Sequence, residues 1–101
     1  MSRILGVFVS SNKHIDKIME LCKSAKRKDV KVKIFMTHTG TLLTQDAKFS
    51  EIAELADISL CRVSFEKNGL KMPIHGIGND ALASQIMHAE LIEDCDRYLV
   101  F

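Results

Sequence analysis

The stretch DISLCRVSFEKNGL, Asp57 to Leu70, puts a cysteine where an apolar strand pattern gives way to a helical run closed by Asn-Gly. A thiol at such a junction can act as a nucleophile. RVSFEKN can form a short helix with Gly69 as its left-handed C-terminal residue, so Cys61 takes the N-cap or first-turn position. It then faces unpaired backbone N–H groups and the positive end of the helix dipole, with Arg62 as a nearby cation. These features lower a thiol pKa from about 8.5 toward neutrality, and the thiolate is the reactive species. The competing reading is packing alone, because cysteine is among the most buried residue types.

The other two cysteines carry less. Cys22 lies on the apolar stripe of the first helical pattern, where a free cysteine behaves as a small hydrophobe. Cys95, in EDCDR, sits among acidic residues that make it a poor nucleophile. An odd number of widely spaced cysteines with no Cys-x-x-Cys argues against a disulfide framework and fits a reducing compartment. His14, His38, His75 and His88 are scattered, so no Cys/His cluster has zinc spacing. Neither a metal nor an organic cofactor is expected.

The elements that must position Cys61 alternate between strand and helix patterns, the mark of an α/β domain with a parallel sheet. RILGVFV (3–9) is nearly all apolar, as a strand covered on both faces should be. SSN then supplies N-cap chemistry, and Ile15, Ile18, Met19, Cys22 and Ala25 mark one face of a helix over 14–28. VKVKIFM (30–36) alternates before turning apolar and reads as a strand nearer the sheet edge. THTGT reads as a loop, 46–56 as a second helix, and DISLC as a third strand. A third helix over 79–93, capped by Asn79 or Asp80 with Leu82, Ile86, Ala89 and Ile92 inward, precedes a last strand, RYLVF (97–101).

With right-handed crossovers the favoured arrangement is a parallel sheet of four to five strands in order 2-1-3-4, with helices on both faces. Connections then reverse between strands one and three, and ligands belong at the carboxyl ends of those strands. Those ends are Ser10, Ser11 and Asn12 on one side and Cys61 on the other. His38, in the loop after the second strand, is placed to reach the same crevice as a titratable group.

Taken together, these residues resemble the DsrE/DsrF/TusD-like sulfur-relay family, small α/β proteins with a cysteine after a middle strand. The likeness rests on the opening strand ILGVFV and on ISLCRVSFEKNGL. The latter is similar to the family's Cys-x-x-Ser-x-x-x-x-Gly pattern, on Cys61, Ser64 and Gly69. It rests also on the closing CDRYLVF, with Asp96 and Phe101 in the matching places. The resemblance implies a three-layer flavodoxin-like or Rossmann-like fold, assembled into oligomers, often trimers or hexamers. It further implies a carrier role for Cys61, as a persulfide passed between sulfur donor and acceptor proteins in tRNA thiolation or dissimilatory sulfur metabolism. Ser64 and Gly69 are its local supports. The chain is short for the family, and no assisting histidine or second cysteine is assigned.

Other motifs have ordinary readings. THTGT has the hydroxyls and glycine of a phosphate-cradling loop, but it follows the second strand rather than the first, and such residues are common turn chemistry. The glycines of HGIGND (75–80) let the chain turn into the third helix, with anion binding by backbone amides as the weaker alternative. Lys23, Lys26, Arg27, Lys28, Lys31 and Lys33 form a basic run that complements a helix C-terminus, or else a docking patch for an acidic partner or tRNA.

Composition bounds the rest. The 101 residues fit one domain, 1–101, and the 47% apolar content suffices for one core. A net charge of +1, no Trp and one Tyr argue against direct nucleic-acid binding by charge or stacking. No apolar run approaches the roughly 18 residues of a membrane span, and the signal-peptide pattern is missing from the N-terminal segment. The expectation is a cytoplasmic homo-oligomer, a sulfur carrier. The alternative is a non-catalytic small-ligand, nucleotide-binding or structural subunit in which Cys61 only packs, although a Gly-rich loop after the first strand is lacking.

Overall fold

The computed structural model describes residues 3–72, 74, 77–78, 81–83, 93 and 95–101. Five strands, β1 (Arg3–Val9), β2 (Val30–Met36), β3 (Asp57–Cys61), β4 (Leu82–Ala83) and β5 (Arg97–Val100), form one sheet. Every pairing in it is parallel. The described helices are α1 (Ile15–Arg27), α2 (Phe49–Leu55) and α3 (Arg62–Lys67), with a 3₁₀ segment at His38–Gln45. The chain is an α/β protein with an all-parallel sheet, as its alternating pattern implies.

The strand order differs from the expected one. It is β4-β3-β2-β1-β5, so β2 and not β1 lies beside β3, and the last strand takes the free side of β1. The Val-Lys-Val-Lys alternation that suggests an edge has another cause. Val32 and Ile34 point into the core, while Lys31 is exposed on the opposite face and pairs with Asp57 at 3.5 Å. The alternation reports a wet patch on one face of a central strand.

This order also decides where the helices go. From β1 to β3 the chain steps outward in one direction, and right-handed crossovers put successive helices on the same face. Ile18, Met19, Cys22 and Ala25 of α1 and Phe49 and Ile52 of α2 accordingly share one core with Val7, Val9, Val32, Ile34, Met36 and Leu60. Fully burying each large aliphatic or aromatic side chain here contributes about 1.5–3 kcal/mol. Lys48 and Asp16, and Lys23 and Glu51 at 3.7 Å, tie the two helices together at the surface. Exposed pairs of this kind add little.

The other face carries a smaller cluster in which Phe35 and Cys61 are buried, with Phe8 and Cys95 packed against them. Phe8 stacks on Phe35 at 6.1 Å and on Tyr98 at 6.5 Å. Gly6 lies on this face because a Cβ there would come within 2.9 Å of the Cys95 sulfur.

Three local expectations change. The SSN segment does not cap α1: the N-cap is His14, without a side-chain capping bond, and the Ser11 hydroxyl instead accepts from the Lys13 N–H at 3.2 Å. THTGT is not a free loop but the start of the 3₁₀ segment, in which the Thr41 and Thr44 hydroxyls donate to the carbonyls of His38 and Thr41. The second helix begins at Phe49, because the Asp46 carboxylate accepts from the Lys48 N–H and holds a turn before it. Leu82 and Ala83, expected within a helix over 79–93, instead pair with Leu60 and Cys61 as β4. Most of the remaining 79–93 span, with His75 and His88, lies outside the described residues.

Candidate functional site at the end of the third strand

Side chains alternate across a strand. Leu60 therefore enters the main core, while Cys61 turns to the opposite face against Phe35. Arg62 opens α3, so Cys61 is its N-cap, in extended backbone with φ −66° and ψ 116°. The short helix ends as the Asn-Gly pair implies. Gly69 has φ +73°, its N–H donates to the Glu66 carbonyl, and the Leu70 N–H reaches back to Phe65. These two bonds make a Schellman motif. Phe65, 2% exposed, anchors the helix in the core.

Thr37, the first residue after β2, stands beside this junction. It is 2% exposed, and its hydroxyl shares a 3.2 Å hydrogen bond with the Ser64 hydroxyl. Asn68, at the far end of α3, donates through its side-chain amide to the His38 carbonyl and to the Thr41 hydroxyl, each at 2.8 Å. Polar contacts at both ends thus lock α3 onto the 3₁₀ segment. That segment is seated on the sheet by Gly40, where a Cβ would overlap the Val9 carbonyl oxygen. His38 has φ +50°, and its carbonyl receives both Thr41 and Asn68. Asn68 and Thr41 thereby compensate an uncommon backbone conformation for a non-glycine residue.

Cys61 is 6% exposed. Burial pushes its thiol up, but the Ser64 amide and hydroxyl, the Thr37 hydroxyl and the Val63 amide more than offset this, leaving its pKa below the ordinary thiol value. The sulfur makes no capping hydrogen bond of regular geometry; the surrounding donors act on it as dipoles that favour a negative charge. The result is a sulfur readied for ionisation in a corner of low exposure.

Of the residues singled out by sequence, Cys61, Ser64 and Gly69 belong to one structural unit. Arg62 is more than half exposed and faces Glu66 at 4.0 Å, and its charge is not among the influences that lower the Cys61 pKa. Ser10, Ser11 and Asn12 follow β1, on the far side of β2 from Cys61. The reversal of the sheet lies between β1 and β5, not between β1 and β3, and there the Ser10 N–H donates to the Phe101 carbonyl at 2.9 Å. His38 is exposed and serves the site through its backbone. The residues that sequence reasoning passed over are Thr37 and Asn68. Thr37 had one available signal, its place directly after a strand of a parallel sheet, where functional side chains gather.

Among the described residues no group of three or more His, Cys, Asp or Glu can hold a metal ion, and no helix is long and apolar enough to cross a membrane. No family model, curated protein or solved structure gives a significant match to the chain.

Proposed function

We propose that the protein is a sulfur carrier working through Cys61. The observation that carries this reading is the lowered pKa of a thiol that burial alone would raise, produced by donors from α3 and the end of β2. In the transfer, the Cys61 thiolate attacks the outer sulfur of a donor persulfide, R–S–SH. A new S–S bond forms to Cys61 as the donor S–S bond breaks, giving Cys61–S–SH and the donor thiolate. Attack by an acceptor thiolate on the same outer sulfur then releases Cys61 as thiolate. There is no net oxidation, and no cofactor enters.

Thr37 and Ser64 stabilise the charged sulfur in each resting form. Val63, 73% exposed in the first turn of α3, offers an apolar contact for a donor or acceptor protein beside the thiol. A homo-oligomer, trimeric or hexameric, would shield the persulfide between transfers. Mass spectrometry after exposure to a low-molecular-weight persulfide, with each cysteine replaced by serine in turn, tests the assignment. The 32 Da adduct of one added sulfur (about that mass by the chemistry of exchange) should vanish in Cys61→Ser and persist in Cys22→Ser and Cys95→Ser. Uptake that survives Cys61→Ser ends the proposal.

A further inference from the structure

A cavity of about 500 Å³ opens at the edge of the sheet opposite Cys61, between the first residues of β1, β2 and β5 and the last two turns of α1. Its position follows from register. Arg3 lies opposite Val30 and Leu5 opposite Arg97, so these four residues share the face that α1 covers. The α1 side supplies Leu21, Ser24, Ala25 and Lys28. The cover is incomplete over β5, where Arg97 is exposed and Leu99 is 40% exposed.

The charges around the opening are unbalanced. Arg3, Lys28 and Arg97 line it, and none forms an ion pair with a described carboxylate. Asp96 is the acidic residue in the lining, and its carboxylate is already accepting from the Ile4 N–H at 2.7 Å. Three of the last four carbonyls of α1, which would repel an anion, accept hydrogen bonds. Those of Ser24 and Ala25 accept from the Lys28 N–H, and that of Lys26 from the Asp29 N–H. An apolar floor with three cations against one carboxylate on its rim carries a net positive charge and suits one class of ligand, since guanidinium forks match carboxylates in geometry and charge. The volume lies within the range of small-molecule sites.

We propose that this cavity is a binding site for a small organic carboxylate with an apolar body, the carboxylate held at the arginine rim and the body against Leu5, Leu21, Ala25 and Val30. The site is independent of Cys61. Octanoate serves as the probe, with octylammonium and acetate as controls, followed by amide chemical shifts in two-dimensional NMR. Octanoate should saturate and move resonances around Leu5, Ser24 and Val30. Octylammonium, with the wrong charge, and acetate, with no body, should bind at least tenfold more weakly. The double variant Arg3→Gln/Arg97→Gln should weaken octanoate tenfold or more while its thermal unfolding stays cooperative. Ser24→Trp, which fills the opening from a half-buried helix position in its lining, should abolish the response, whereas Cys61→Ser should leave it intact. Equal binding of octylammonium, shifts confined to other regions, or unchanged affinity in both the arginine and Ser24 variants would overturn the proposal.

Discussion

Cys22 and Cys61 are both buried, 0% and 6% exposed, yet their surroundings drive them in opposite directions. Cys22 lies on the inner face of α1 among aliphatic side chains, and burial alone pushes its thiol up to about 11. Cys61 feels the same penalty, but it sits where a strand ends and a helix begins. Amides and hydroxyls of Ser64, Thr37 and Val63 reverse the direction there. Burial does not decide whether a thiol ionises. What decides is whether burial comes with donors aimed at the sulfur.

The widest separation between the two should be in labelling rate. At pH 8 a thiol with a pKa of about 11 is ionised in roughly one molecule in a thousand. Iodoacetamide should therefore modify native Cys61 about a hundredfold or more faster than native Cys22, read by peptide mass spectrometry over a time course. Equal rates in the folded protein would erase the contrast.

Alkaline stability should sharpen it. For Cys22 the folded pKa exceeds the unfolded one, so the neutral thiol's contribution is complete below pH 9. It is lost as pH rises, by about 2 kcal/mol at pH 11 and by about 3 kcal/mol well above it, the limit set by two pH units at about 1.4 kcal/mol each. For Cys61 the folded pKa is depressed, so the sign is opposite: its contribution is present above the unfolded pKa and disappears as pH falls through the folded value. Urea unfolding between pH 8 and 11 should show a decline that Cys22→Ala diminishes and Cys61→Ser retains, the remainder coming from Tyr98, whose pKa burial also raises. A decline of the same size in both variants would contradict the assignment.

The smallest expected effect probes the donors themselves. Ser64→Ala removes the partner of the nearly inaccessible Thr37 hydroxyl and should cost about 1–2 kcal/mol. It should also raise the Cys61 pKa, since two of the influences that lower it come from this residue and one is its hydroxyl. The rate of Cys61 alkylation against pH gives the shift directly. A stability loss with an unmoved alkylation profile would show that the hydroxyl only braces Thr37.

The same contrast explains which parts of the molecule were legible beforehand. The inner face of α1 was readable because Ile18, Met19, Cys22 and Ala25 repeat at helical spacing, and spacing is local information. The end of α3 was readable because Asn-Gly is turn chemistry, and Gly69 takes the expected positive φ. The partners of Cys61 were less so. Ser64 is three residues away, but Thr37 is 24 residues back and meets it only because β2 lies directly beside β3. The favoured strand order put β1 in that place and so brought Ser10, Ser11 and Asn12 toward Cys61 instead of Thr37.

By itself the sequence determined four of the five strands, the faces of α1 and α2, the class of the sheet and the junction occupied by Cys61, because each is written in periodicity or in turn residues a few positions apart. Only the tertiary structure decided which strands are neighbours, and with that which hydroxyls surround the sulfur and where the arginines of β1 and β5 converge. Handedness and hydrophobic pattern are satisfied by more than one strand order. The choice among them is made by how whole faces pack, a property that no short window of residues contains.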